Sequence, residues 1–569
     1  MQALLDKHPR AGKDLKYGTA GFRDRADLPL HATFLRMGMF ACLRSRSRTG
    51  LAAGVMITAS HNPEEDNGIK LVDADGGMLS QTWEPLAETL ANCSDAHAVI
   101  SLLQELEKEH VPSAGAGAAP PAVVVLGRDT RAHSAELAAC VEAGVRACGG
   151  TPLDLGEVTT PQLHWVVAAL NASGAPDAAA FDAEKILAAY YSTLSSNYLA
   201  LRSSASSPEE VDAVVLDCSF GIGSVAAEEL LATVQQECAA AAAAAGGKGG
   251  QACLLSLDLR NTARTGPVND GCGAEFVQKG QLVPCGVSVE ADARSTMASL
   301  DGDADRLVFH TYTAAGAGLK GSNWALLDGD KIACLLAVTL LREMQAAGLD
   351  SKFSFGAVQT AYANGAAGDY LRAQGVPVVL AKTGVKFVHH AALAYDVGVY
   401  FEANGHGTVL FSPALMTRLS SRNDEPTDGS RAALALQRLR AFTMCINQAV
   451  GDALSDMLAA LACLRIQNLS LKDWMDLYTD YPSRQLKVQV SNKHLISCSA
   501  DETTALTPAI LPVRLSEAMQ RAGKCARAFV RPSGTEDVVR VYAEAASQAA
   551  ADALAADCIQ AIHEALGGM

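Results

Sequence analysis

No two cysteines in this 569-residue chain form a CxxC pair, and no histidines stand beside them at ligand spacing. The fifteen thiols therefore make neither a zinc site nor a disulfide framework, and they read as reduced, mostly buried side chains. Apolar runs are short as well: a membrane span needs ~20 residues. The longest candidate, Ile332–Leu341, has ten and predicts a buried helix. The N-terminus, MQALLDKHPRAGKDLKYG, carries charge within its first ten residues and lacks an apolar core of signal-peptide length, so the expectation is a cytoplasmic protein. A basic balance is missing too. The net charge of −16 offers no face to nucleic acid or to an anionic membrane, although a local cluster of Lys and Arg still suits an anionic small molecule. Nothing indicates an obligate protein partner.

What is present is a globular composition, 49% hydrophobic and 19% charged. The length exceeds one core and predicts three or four domains at ~150 residues each. The chain is organised around Ile57–Pro63, ITASHNP, where the apolar residues Val55 to Ile57 run into Thr58-Ala59-Ser60-His61. Asn62-Pro63 forces a turn there, because the residue before a proline is pushed out of the helical region. Ser60 is thereby set at a strand end, where a hydroxyl can carry a covalent group if its charge is neutralised and its proton managed.

Ahead of it, KDLKYGTAGFRDR at 13–25 gathers Lys16, Arg23 and Arg25 around Gly18 and Gly21, a loop able to wrap a phosphate. Behind it, Asn67-Gly68-Ile69-Lys70 reads as a turn that returns a lysine toward the serine. Leucine spacing over 80–110 predicts helix, Ser113–Ala122 a flexible insertion, and Ala122–Asp129 a buried strand opening into a helix from Ser134 that stops at Gly149-Gly150. Val211–Ser224 reads as strand, loop and helix start, and 239–250 as a low-complexity insertion. Asp328 or Asp330 is expected to cap a helix over 331–345. Helix is expected over Thr360–Gln374 and 428–462, strand over Val376–Ala381 and after 535, and an amphipathic helix from Ala546. The boundaries fall at 1–208, 209–310, 311–450 and 451–569.

Three further constellations carry chemistry. In Asp301-Gly302-Asp303-Ala304-Asp305-Arg306 the carboxylates alternate with small residues and can converge on one hard cation. An EF-hand loop is excluded, since Arg306 stands where glycine is needed and Tyr312 where a bidentate Glu is needed; the set suits Mg²⁺ shared with a phosphate. Glu402-Ala403-Asn404-Gly405-His406-Gly407 places a carboxylate, an amide and an imidazole on a glycine-flexed loop that suits sugar hydroxyls. Lys382, Lys386 and the pair His389-His390 add positive charge, with one of that pair read as a core histidine satisfied by backbone. Arg531-Pro532-Ser533-Gly534-Thr535, followed by Arg540, has the composition of a phosphate cradle.

TASHNP at 58–63, DGDADR at 301–306, FEANGHG at 401–407 and RPSGTED at 531–537, in this order, resemble the α-D-phosphohexomutase superfamily. KYGTAGFR (16–23), CGAEFV (272–277), VQTAYANGAA (358–367), TGVKFVHHAA (383–392) and a GRDTR segment that follows the serine loop are most similar to its acetylglucosamine branch. The resemblance implies an α/β, four-domain, heart-shaped architecture with a cleft: three α/β domains and a smaller α+β, TATA-binding-protein-like fourth. It implies interconversion of N-acetylglucosamine 6-phosphate and 1-phosphate on the way to UDP-N-acetylglucosamine, through a sugar 1,6-bisphosphate. Ser60 is then the phosphoserine, one Mg²⁺ is held by Asp301, Asp303, Asp305 and a phosphoserine oxygen, and Glu402, Ala403 and Asn404 meet the sugar. Arg531 to Thr535 and Arg540 hold the phosphate not being transferred. Mg²⁺, Arg306, Lys70 and Arg23 can neutralise the transferring group; for proton handling Lys70, Arg23 and His61 all stand open. A phosphoglucomutase or phosphomannomutase is the rival within enzymes, a sugar-phosphate sensor the rival outside them.

Overall fold

The apolar run before Thr58 forms the strand Ala53–Ile57, buried along its whole length. In the computed structural model, residues 1–10, 12–18, 21–26, 30–112, 120–205, 210–244, 253–288, 291–292, 295–312, 324–421, 430–533 and 537–566 are described. That strand is the middle of a five-stranded sheet, antiparallel to Asp66–Val72 and parallel to Val123–Arg128, with Phe22–Arg25 and Thr151–Glu157 at the edges. A continuous hydrophobic run suits this place, because both faces are covered: His31–Ser47 and Ser134–Ala147 pack with one core and Thr160–Asn171 with the other. A second five-stranded sheet has Thr296–Leu300 at its centre, between Asp212–Asp217 and Leu307–Tyr312. Each central strand thus ends at one of the motifs singled out in the sequence, Ser60 in the first case and Asp301 in the second.

The third sheet runs Val378–Ala381, Phe355–Thr360, Val397–Phe401, Gly407–Phe411. The fourth is antiparallel, with Val538–Glu544 between Ser483–Gln489 and Arg527–Pro532, and the helices Ile510–Ala522 and Gln548–Leu566 pack on one face of it. The chain divides into two compact units: Met1–Asp328 with Arg440–Ile466, holding the first two sheets, and Gly329–Leu439 with Gln467–Met569, holding the third, the fourth and a two-stranded sheet of Ser497–Cys498 and Ala505–Thr507. All fifteen cysteines are free. Among the described residues no helix is long and apolar enough to cross a membrane.

Several local expectations are corrected. Asn67-Gly68-Ile69-Lys70 is not a turn but part of the strand Asp66–Val72. Its Asn-Gly pair is used for packing: a Cβ on Gly68 would stand 2.5 Å from the Phe22 carbonyl oxygen, and the Asn67 side chain donates to Ser134 Oγ at 3.0 Å. The stretch Thr360–Gln374 is helical only over Gly365–Ala373, and 428–462 resolves into Arg431–Cys445 and Ala453–Gln467. The second sheet continues through Leu307–Tyr312 to Trp324–Leu327, on both sides of the expected boundary at 310. His390 is exposed and His389 only half-buried, with Nδ1 2.9 Å from the Tyr400 hydroxyl, so neither of the pair is a core histidine.

Asp330 lies inside the first turn of a helix that begins at Gly329, so that Asp328, the other residue expected to cap it, stands just before the first residue. Asp330 is buried, accepts from the Asn364 amide at 2.8 Å, and burial together with the Asp480 carboxylate pushes it up to about 7. An acid held protonated in the folded chain loses stability as pH rises from its ordinary 3.8 to that value. Asp330→Asn is therefore expected to raise Tm more at about pH 8 than at about pH 5.5. An equal shift at both values would show that the site is not strained by charge.

Candidate active site

Ser60 sits three residues past its strand, with φ +54°. Its amide donates to Thr58 Oγ1 at 2.9 Å, and its hydroxyl donates to Asp301 Oδ2 at 2.8 Å. Asp301 is oriented by its own loop, since Oδ1 accepts from the amides of Asp305 (3.1 Å) and Arg306 (3.2 Å). The loop turns through Ala304 at φ +58°. Gly302 is required there: a Cβ would stand 2.7 Å from the Ser60 carbonyl oxygen.

Asp301, Asp303 and Asp305 are all buried, and one carboxylate oxygen from each falls within 4.8 Å of the others. Burial first, then the charges of Asp305 and Asp303, push the Asp301 carboxyl well above its ordinary range. Lys70 answers part of this repulsion, with Nζ 2.7 Å from Asp303 Oδ2 and 2.9 Å from Asp305 Oδ2. Burial by itself would lower Lys70; the two carboxylates overcome it and hold the ammonium well above its ordinary value. Arg306 Nε lies farther off, 3.8 Å from Asp301 and 3.9 Å from Asp305.

Asp303 Oδ1 is buried without a hydrogen-bond partner among the described residues, whereas its Oδ2 accepts from Lys70 and from Thr160 Oγ1 at 2.5 Å. A bare oxygen beside two further carboxylates fits a small hard cation of the Mg²⁺ kind.

His61 and Arg23 complete the cluster. His61 Nε2 is 3.2 Å from Glu275 Oε2, its Nδ1 is buried without a hydrogen-bond partner among the described residues, and burial followed by Arg306 and Arg23 drives it well below its ordinary value. It is a neutral imidazole, and a cavity of ≈ 320 Å³ opens beside it, lined also by Asn269, Cys272, Glu275 and Lys279. Arg23 donates to Asn62 Oδ1 at 3.0 Å and is lowered by burial and then by Arg306. Lys16 and Arg25, expected to join it, are exposed.

In the second unit, Glu402, Ala403 and Asn404 form a tight hairpin between Val397–Phe401 and Gly407–Phe411. Glu402 Oε1 accepts from the Gly384 amide at 3.2 Å, and Asn404 Oδ1 from the His406 amide at 2.9 Å. Part of the Asn404 amide is therefore committed to the loop itself.

Arg531 and Arg540 lie directly opposite one another, and Lys487 lies opposite Arg540 on its other side. Residues in register share a face, so three cations form one row across the fourth sheet. Arg531 Nε donates to the Tyr362 hydroxyl at 3.1 Å, and its Nη1 lies 3.5 Å from Glu502 Oε1. Pro532 closes the strand, and Ser533 is buried with its amide on the Val538 carbonyl at 2.9 Å. Gly534 and Thr535 lie outside the described residues.

Sequence reasoning missed Thr160, Lys487, Arg131 and Asn269. The last two both donate to the carbonyls of Ser60 and Asn62. Thr159-Thr160-Pro161 at a helix start was a local signal for an N-terminus, but nothing in it reports the distant Asp303.

Comparison with known proteins gives a consistent answer. The model described as phosphoacetylglucosamine mutase AMG1, domain III, matches residues 328–469. The phosphoglucomutase/phosphomannomutase C-terminal domain matches 486–561, and α/β/α domain I of the same group matches 39–96 and 104–175. The phosphoacetylglucosamine mutase of Homo sapiens is 42% identical over 560 residues, 98% of this chain and 95% of that protein. A crystal structure of Aspergillus fumigatus N-acetylphosphoglucosamine mutase in complex with GlcNAc-6P and magnesium aligns with TM-score 0.86 at 37% identity, covering 99% of this chain and 98% of that one. Another of the same enzyme, in complex with glucose 1,6-bisphosphate, aligns with TM-score 0.84 at 37% identity and the same coverage.

Proposed function

The chain belongs to the phosphoacetylglucosamine mutase family and is a phosphohexomutase, and from that premise we propose that Ser60 carries the phosphoryl group that interconverts N-acetylglucosamine 6-phosphate and 1-phosphate. The observation that carries this reading is the Ser60 hydroxyl 2.8 Å from Asp301 inside a buried cluster of three carboxylates. A pure sugar-phosphate binder has no use for either. Phospho-Ser60 would give its phosphoryl group to the free hydroxyl of one monophosphate, forming the 1,6-bisphosphate, and take a phosphoryl group back from the other end. The hydroxyl that is phosphorylated loses its proton at each stage.

Asp301, Asp303 and Asp305 would hold Mg²⁺ together with a phosphoserine oxygen, and when bound the ion supplies positive charge to the phosphoryl oxygens. Arg306 and Arg23 add fixed charge to the same group. Lys70 is held as an ammonium by two aspartates and so serves as a donor. His61 is the neutral candidate for accepting the sugar's proton: burial, then Arg306 and Arg23, drive it well below its ordinary value, and its Nε2 lies 3.2 Å from Glu275 Oε2. A kcat in His61→Gln that kept its wild-type value and pH profile would remove it from that role.

In the second unit the proposal gives Glu402, Ala403 and Asn404 to the sugar, and the Arg531 loop, Arg540 and Lys487 to the phosphate not being transferred. The cation row supports this, because three cationic side chains sharing one face of a sheet suit an anionic phosphate. A cytosolic place on the route to UDP-N-acetylglucosamine belongs to the same proposal, supported by fifteen unpaired thiols.

The test is to assay N-acetylglucosamine 6-phosphate and glucose 6-phosphate in parallel with Mg²⁺, and to weigh the purified protein intact. Conversion of the acetylated sugar and one phosphate on Ser60 are expected. Faster conversion of the glucose phosphate would make the chain a phosphoglucomutase, and absence of the modification would exclude Ser60.

A further inference from the structure

Ser60 is held in the left-handed region at φ +54°. An L side chain adopts that conformation only where its surroundings over-determine it. Here the surroundings are two side chains from different parts of the first unit. Arg131 Nη2 donates to the Ser60 carbonyl at 3.1 Å and to the Asn62 carbonyl at 2.6 Å. Asn269 Nδ2 donates to the same two oxygens, each at 2.9 Å. Two donors thus share two acceptors on either side of His61.

Both donors are themselves fixed. The Arg131 side chain is fully buried, with Nη1 paired to Asp129, and Asp129 Oδ1 accepts from the Arg131 amide at 3.1 Å and from Ser134 Oγ at 2.7 Å. Asn269 stands at φ +63° with its amide on the Ser219 carbonyl at 2.9 Å. Arg131 follows the strand Val123–Arg128 of the first sheet, and Asn269 follows Leu255–Arg260 of the second. The loop bearing the aspartates closes over this arrangement, since a Cβ on Gly302 would stand 2.7 Å from the Ser60 carbonyl oxygen and 2.9 Å from Asn269 Nδ2.

We propose that Arg131 and Asn269 are positioning residues for phosphoryl transfer, clamping the serine loop from both sheets so that Ser60 Oγ stays aimed at Asp301 in each half-reaction. The proposal rests on the reading of Ser60 as the phosphoryl carrier. Neither residue touches a reacting atom. Their effect is through the backbone: a displaced carbonyl at Ser60 rotates the Cα–Cβ bond and swings Oγ off the aspartate, and transfer between positioned oxygens is steeply sensitive to such a shift.

Asn269→Ala removes one donor at a half-buried position, and Arg131→Lys keeps the charge against Asp129 while losing the fork that reaches two carbonyls. The measurements are kcat and KM for the sugar phosphate, Tm, and the intact mass of wild type and both variants. The expected result is a kcat lower by about 10- to 100-fold, with KM within about threefold of wild type and Tm of Asn269→Ala within a few degrees. Wild-type kcat in both variants would overturn the clamp. So would a Tm loss in Asn269→Ala with kcat per folded molecule unchanged, which is the mark of a structural role alone. If wild-type protein carried no phosphate on Ser60, the underlying reading would fall and the clamp with it; phosphate on Ser60 together with undiminished variants would overturn the clamp alone.

Discussion

Ser60→Ala is expected to abolish turnover and to leave sugar-phosphate binding nearly intact. On the proposed reading the hydroxyl is the only group of this residue with a chemical part: it donates to Asp301 Oδ2 at 2.8 Å, while the amide and carbonyl are engaged by Thr58, Arg131 and Asn269. Alanine keeps those backbone contacts and is no more strained than serine at φ +54°. The loss is therefore confined to the covalent relay, and by analogy with removal of other enzymic nucleophiles a fall in kcat on the order of 10⁴-fold or more is expected. Calorimetric titration with N-acetylglucosamine 6-phosphate should still show binding, because the proposed cradle of Arg531, Arg540 and Lys487 is untouched. More than trace activity in the variant, or loss of binding along with turnover, would contradict the assignment.

How far the sequence discloses this site follows from how local each feature is. Ser60 and the three aspartates are legible because the signal is contiguous: an apolar run meeting Ser-His-Asn-Pro in one case, carboxylates alternating with glycine and alanine in the other. The physical demand on those residues is met within a few positions of chain. Lys70 does stand beside the aspartates, but on a strand, since Asn-Gly is a turn signal by local propensity and here is overridden by sheet pairing on both sides. Arg131, Asn269 and Thr160 do their work across separations of 71, 209 and 143 residues. No pattern within a window of chain encodes such pairings, and only the packing of two sheets in one unit brings them together. Likewise, Arg531 and Arg540 are each visible in the sequence, but the row they form with Lys487 depends on strand register. The His389-His390 pair is split because adjacent residues on a helix point apart: His389 turns toward Tyr400 and His390 is exposed.

Asp303→Asn should weaken Mg²⁺ and cut the rate steeply without unfolding the chain. The substitution preserves shape in a fully buried position, so no cavity opens. What changes is charge and donor chemistry at one carboxylate whose two oxygens have different duties. Oδ2 is tied to Lys70 at 2.7 Å and Thr160 at 2.5 Å, and both of these donate, so the amide oxygen of the variant must take this place. The amide nitrogen is then forced into the position of Oδ1, the buried oxygen without a partner among the described residues. A nitrogen bearing two hydrogens cannot ligate a cation, and it faces the ion with its positive end. The variant therefore loses a ligand and gains a repulsive dipole, a larger change than simple truncation. At least a tenfold weaker apparent affinity for Mg²⁺ is expected, about 1.4 kcal/mol of binding. The thermal stabilisation that wild-type protein gains when Mg²⁺ is added should shrink by a similar amount, because an ion stabilises a fold only as far as it prefers the folded site. Without the ion the variant also removes one source of repulsion, since Asp301 is held high by burial first and then by Asp305 and Asp303. Titrating kcat and Tm against Mg²⁺ in both proteins checks each part, and superimposable curves would mean that the ion binds elsewhere than on Asp303.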